Sequence, residues 1–214
     1  MTFIRRLKMK KVFLAYDLVE MCAAEDKKQR EELLRIVCLR QISAGNPEVA
    51  KTLLELHPPL HPHKEEFLKT AVWTKRLDMV NMLLEYGADP CANNNAAFLC
   101  ALRHGLVKMT ALLAPRIDLK KDSKRCGEGF VEVAVLGRDM KCLRLILKLG
   151  ADVHANDEAA LRQACLMGHY KAVKFLLKKG AQASMVTAAD REGVFLQRNA
   201  GKILTILKEY HPSL

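Results

Sequence analysis

"GADVHANDEAALRQACLMGHYKAVKFLLKKGA", residues Gly150–Ala181, opens and closes on the same Gly-Ala dipeptide. Inside it Ala160, Leu161, Ala164 and Cys165 recur at i, i+1, i+4 and i+5, the spacing of one small apolar face on a short helix that Gly168 ends. From Ala172 onward, Val173, Phe175, Leu176 and Leu177 form a second apolar face, and Gly180 supplies the left-handed residue that stops that helix. The stretch therefore reads as two antiparallel helices and a loop. Neither helix can bury its stripe alone, so the unit needs neighbours on both sides.

Those neighbours are visible at a fixed interval. Aliphatic doublets close apolar runs at Leu53-Leu54, Leu83-Leu84, Leu112-Leu113, Ile146-Leu147, Leu176-Leu177 and Ile206-Leu207, with successive spacings of 30, 29, 34, 30 and 30 residues. A small residue precedes the doublet in each central unit, namely Ala71, Ala101, Ala134 and Ala164. Three units carry GAD or GAQ after it, at Gly87, Gly150 and Gly180. The chain is an array, in which six helix pairs end near Pro212 and the last, "GVFLQRNAGKILTILKEY", is degenerate, as a terminal cap should be. Lys11–Ala24 reads as an incomplete leading unit, so residues 1–30 are expected to form an N-terminal capping helix and charged connector, and residues 31–214 the repeat array.

With its GAD turn, Leu161-x-x-Ala164 helix, Gly168-His169 turn and Val173-x-x-Leu176-Leu177 helix, the quoted unit resembles an ankyrin repeat. "VNMLLEYGADPCANNNAAFLCALRHG" resembles one nearly as well. The resemblance implies an all-α, ankyrin-like helical solenoid. The units depart from the family in running near 30 residues rather than about 33. The missing residues fall between GAD and the first helix, where the usual hairpin finger would stand. At the family's histidine position stand Lys69, Leu99, Glu132 and Arg162, so the hydrogen bonds of that histidine must be made otherwise. Short "ANDEAAL" units are similar to those of some bacterial and large-virus ankyrin proteins.

The resemblance also implies where a partner would be held: by the short loops and by the two residues before each inter-helix turn, along a concave face. In this sequence those are Trp73 and Thr74, Arg103 and His104, Leu136 and Gly137, and Leu166 and Met167, with Glu65, Asn95 and Glu158 at the preceding loop position. The only tryptophan and an arginine are among them, and such residues dominate interface hot spots. A register one residue off would instead turn Trp73 and Leu136 into the core. The expected function is thus non-enzymatic binding of a folded protein partner that is blocked or recruited, with no small-molecule substrate, cofactor or metal.

Charge supplies a second reading. Formal net charge is +11, and residues 120–214 alone hold 17 Lys+Arg against 10 Asp+Glu. Lys141, Arg144 and Lys148 sit at i, i+3 and i+7 on one second helix; Lys171, Lys174 and Lys178 repeat them 30 residues later, flanked by Lys108 and Lys208. They should stack into a basic ridge. Helices about 10 Å apart place like charges where water reduces their repulsion to about 0.4 kcal/mol, so a solvated face explains the ridge without any ligand. The alternative is a binder of nucleic acid or another anionic surface. Few aromatics interleave with the lysines, which argues against a single-strand stacking platform.

Other classes find little support. Half the residues are hydrophobic but only 6% are aromatic, which suits an aliphatic core of small stacked helices. Seven cysteines without a CxxC pair read as reduced, buried thiols and point to an intracellular, cytoplasmic chain, or to a host cytoplasm if the source is viral or a secreted bacterial effector. No run reaches the roughly 20 apolar residues of a membrane span. The basic start, Arg5, Arg6, Lys8, Lys10 and Lys11, has the look of a mitochondrial presequence as well as of a capping helix with its basic side in water. "LHPPLHPHK" holds His57, His61 and His63, but its prolines prevent the helical spacing that would aim two imidazoles at one metal, so it reads as an extended linker. "KKDSKRCGEG", Lys120–Gly129, lacks the order of a phosphate-binding loop and reads as a surface insertion.

Overall fold

The computed structural model of the chain describes residues 27–56, 62–119, 130–136, 139–195, 197 and 199–212. The expected leading unit, His57, His61, Lys120–Gly129 and Gly137 lie outside them. Six helix pairs follow one another: α1 (Lys27–Ala44) with α2 (Pro47–Leu56), α3 (Lys64–Trp73) with α4 (Leu77–Glu85), α5 (Ala92–Arg103) with α6 (Val107–Leu113), α7 (Phe130–Leu136) with α8 (Met140–Lys148), α9 (Ala155–Leu166) with α10 (Tyr170–Lys178), and α11 (Ala188–Phe195) with α12 (Ala200–Tyr210). No strand occurs among the described residues. This is the all-α repeat array that the doublet spacing implies, in two compact units divided between Pro90 and Cys91.

The expected boundary at residue 30 falls inside α1, which begins at Lys27. The run "KKQREELL" contains no glycine or proline to stop a helix, and the charged run, read as a connector and helix start, supplies the first turns of α1.

In the first unit α1 packs on α2 and α3, and α4 on α2 and α3. Pro47 opens α2, where its missing N–H is no loss. Ile42, Leu54, Phe67, Leu68, Met79 and Leu83 are fully buried between these helices. Burying each such side chain stabilises by about 1.5–3 kcal/mol. Arg35 of α1 donates to Glu66 of α3 at 2.6 Å and to Glu32 of its own helix, an ion-paired bridge between repeats. Arg76 donates to the Ala44 carbonyl at 3.2 Å, covering the end of α1.

In the second unit the first helices form a row, α5 on α7, α7 on α9 and α9 on α11, while α6 packs on α8 and α10 on α12. Phe98 of α5 meets Phe130 of α7 edge to face at 5.1 Å, the favoured aromatic geometry. Gly168 (φ 65) ends α9, and a Cβ there would stand 2.9 Å from Gln197 Cβ, so glycine is required by both backbone and space. At Gly180 (φ 98) nothing lies within 4 Å, and only the left-handed backbone requires it.

Between GAD and the first helix, where the shortened units lack a hairpin finger, the chain makes a left-handed turn. Asn93, Asn94 and Asn95 have φ of 51, 56 and 59, and Asn156, Asp157 and Glu158 have φ of 53, 53 and 60. Each turn is closed by one backbone bond, Asn95 N to Cys91 O and Glu158 N to His154 O. Asn and Asp are the residues that enter this region most readily, which is why the run is "NNN" in one unit and "NDE" in the other.

Candidate protein-binding surface

The residues before each inter-helix turn stand at the C-terminal ends of the first helices, because each such helix runs into a tight turn and its pair returns antiparallel. In the first unit Trp73 ends α3 and is 63% exposed, the outward register of the two that the sequence left open. Thr74 is half-buried, its hydroxyl donating to the Thr70 carbonyl at 2.8 Å, and Glu65 is half-buried in the first turn of α3. In the second unit Arg103 and His104 are exposed at the end of α5, and Leu136, Leu166 and Met167 are half-buried at the ends of α7 and α9. The helices whose ends carry these five, α5, α7 and α9, pack in succession. Leu166 is partly engaged within the protein: a side chain at Gly193 would come within 2.6 Å of it, so α11 approaches there as closely as only glycine permits.

Two of the expected contact residues are corrected by burial. Asn95 is 0% exposed and Glu158 2%, so neither presents a surface to a partner. The left-handed turn carries its third residue inward beneath the start of the helix, where Glu158 Oε1 lies 2.5 Å from His154 Nδ1. The asparagine run was the signal for this turn.

Lys108, Lys141, Arg144, Lys148, Lys171, Lys174, Lys178 and Lys208 are all exposed on α6, α8, α10 and α12. Arg144 stacks over the Phe175 ring at 5.7 Å, with Lys179 at 6.0 Å, which ties α8 to α10. Lys202 of α12 is a further exposed cation that the 30-residue register does not reach, since its counterpart is the buried Ala172.

The ankyrin repeat family model matches residues 68–95, from within α3 through α4 to the turn that opens α5. That span is one repeat period, and the same helix pair recurs along the described chain. The match shows an ankyrin repeat at residues 68–95. A search of the curated proteins found no match.

Ankyrin repeats are generally non-enzymatic scaffolds for protein–protein interaction. Burial pushes the Cys38 and Cys165 thiols up to about 12 and raises that of Cys142, so these three stay protonated and unreactive. Among the described residues no three His, Cys, Asp or Glu side chains group where they could hold a metal. No described helix is long and apolar enough to cross a membrane. At the family's histidine position Arg162 makes a link between repeats, donating from Nε to Asp190 of α11 at 2.8 Å. Sequence reading missed this link because the two residues are 28 apart and meet only through stacking.

Proposed function

We propose that this chain is a non-enzymatic ankyrin repeat module that docks a folded protein partner through the ends of its first helices, through Trp73 in the first unit and through Arg103, His104, Leu136, Leu166 and Met167 in the second. The observation that carries the reading is the exposure of Trp73, an indole of which nearly two thirds faces water at a position the family uses for contact. Exposed aromatics are costly to leave in water and are characteristic interface anchors. A rigid stack loses little order on binding, which favours blocking or recruiting a partner over turning one over. The buried, protonated thiols suit a reducing intracellular compartment.

The test is Trp73→Ala, compared with wild type in capturing partners from native cells, with quantification by mass spectrometry. The variant should melt within about 0.5 kcal/mol of wild type and bind its partner about 2 kcal/mol more weakly, roughly thirtyfold. A large fall in melting temperature would assign Trp73 to the core; unchanged capture would remove it from the interface. A second reading, binding of nucleic acid or an anionic surface by the ridge, is favoured by the exposure of all eight cations. Salt separates the two, because phosphate binding weakens steeply with salt concentration.

A further inference from the structure

Helices α6, α8, α10 and α12 carry nine Lys or Arg and one acid, Glu209. The first helices of the same unit, α5, α7, α9 and α11, carry three Arg and five acids. The second helices of the other unit, α2 and α4, carry one Lys and four acids. Among the second helices, positive charge is therefore concentrated in this unit; outside them α1 also carries an excess, five Lys or Arg against two Glu. All nine cations are exposed, and none makes an ion pair among the described residues.

A cleft of about 450 Å³ opens in this layer at the starts of α10 and α12. Lys171 and Lys202 stand on it, Met140, Tyr170 and Ala172 give it apolar wall, His169 and Asn199 polar wall, and no carboxylate lines it among the described residues. Asp139 caps α8 by accepting from the Lys141 N–H at 2.7 Å, whereas α10 and α12 have no side-chain cap.

We infer that the second-helix layer of residues 91–214 docks an acidic segment of a protein partner, one carboxylate of which enters the cleft between Lys171 and Lys202. Charge complementarity selects an anion. The shape and lining of the cleft select a carboxylate on an aliphatic stem over a phosphodiester: the stem packs on Met140, Tyr170 and Ala172 while the head meets two ammonium groups. A nucleic-acid backbone would bring bases that need stacking surfaces, yet of the aromatics of this layer Tyr170 and Phe175 are half-buried, Phe175 already lies under Arg144 and Lys179, and Tyr210, which is exposed, is the last residue of α12, away from the cleft at that helix's start. This surface lies on helices other than those ending in Trp73 and Arg103, so its test stands apart from theirs.

The experiment uses the full chain, a fluorescent deca-glutamate peptide and an oligothymidylate of equal charge, titrated from low to physiological salt. Wild type should bind the peptide more tightly than the oligonucleotide and lose affinity as salt rises. Lys171→Gln with Lys202→Gln should weaken peptide binding tenfold or more at an unchanged melting temperature, while Lys51→Gln with Lys69→Gln, exposed lysines of the other unit, should stay within twofold of wild type. Tighter binding of the oligonucleotide would assign the layer to nucleic acid. Self-association at low salt that the Lys171/Lys202 variant abolishes would assign it to a second copy of the chain. No peptide binding at low salt, no weakening as salt rises, or equal weakening by both double variants would overturn the inference.

Discussion

Asp190 shows how one residue replaces a family feature. Burial by itself would raise its pKa, but hydrogen bonds from Arg162 and Thr187 together outweigh that and hold the carboxyl below the ordinary aspartate value. The Thr187 hydroxyl and N–H both donate to Asp190 Oδ2, and the Asp190 N–H returns to the Thr187 hydroxyl, a reciprocal cap at the start of α11. Asp190→Asn should destabilise the protein by about 1.5–3 kcal/mol near neutral pH, the usual range for a hydrogen bond to a charged group. Because the folded-state pKa lies below the unfolded one, the contribution is complete above the ordinary aspartate range and fades as pH falls through the folded value. Melting curves of wild type and Asp190→Asn should therefore converge as pH falls below the ordinary aspartate range; a gap that never narrows on acidification would mean that lost packing, not charge, sets the cost. Arg162 was legible as a departure from the family's histidine, but its partner was not, since only stacking of successive units brings α9 to α11.

Within a single element, the left-handed turns make the sharpest claim. An L-residue in that region is destabilised by about 1–2 kcal/mol, less for Asn, while glycine enters it freely. Asn156 is exposed with φ 53, so Asn156→Ala should lower stability by about 1 kcal/mol and Asn156→Gly should leave it nearly unchanged, as urea denaturation would measure. Equal effects would mean that the turn is not left-handed in solution. The second helices invite the converse test. Changing Lys141, Arg144, Lys171 and Lys174 together to Glu should alter stability by a few tenths of a kcal/mol per site, because exposed charges contribute weakly. Arg144 should account for the largest share, about 0.5–1 kcal/mol, through its contact with Phe175. A cooperative collapse of the fold on charge reversal would show the ridge to be structural.

At the scale of the molecule, the principal contacts among the described helices of each unit join successive pairs, so stability should add up along each unit. Removing Lys179–Leu214 deletes α11 and α12 and uncovers the face of α9 on which α11 packs, next to the fully buried Leu161 and Cys165. The truncated chain should keep most of its helical circular dichroism per residue and become less soluble. Complete loss of the helical signal would argue for one indivisible core.

Periodicity alone determined the helix pairs, their number and the glycines that end them, because an apolar stripe at helical spacing can be buried in few ways and the doublets repeat every 29 to 34 residues. It also placed cations on successive second helices, where they are exposed. Tertiary packing decided what periodicity could not: that Trp73 faces outward, that Asn95 and Glu158 turn under their helices, that Arg162 reaches Asp190, and that Lys202 stands with Lys171 over one cleft. The physical reason is the same in each case. Local spacing specifies which face of a helix is apolar, whereas the exposure of a helix end, a turn or a long charged side chain depends on how closely the next pair approaches.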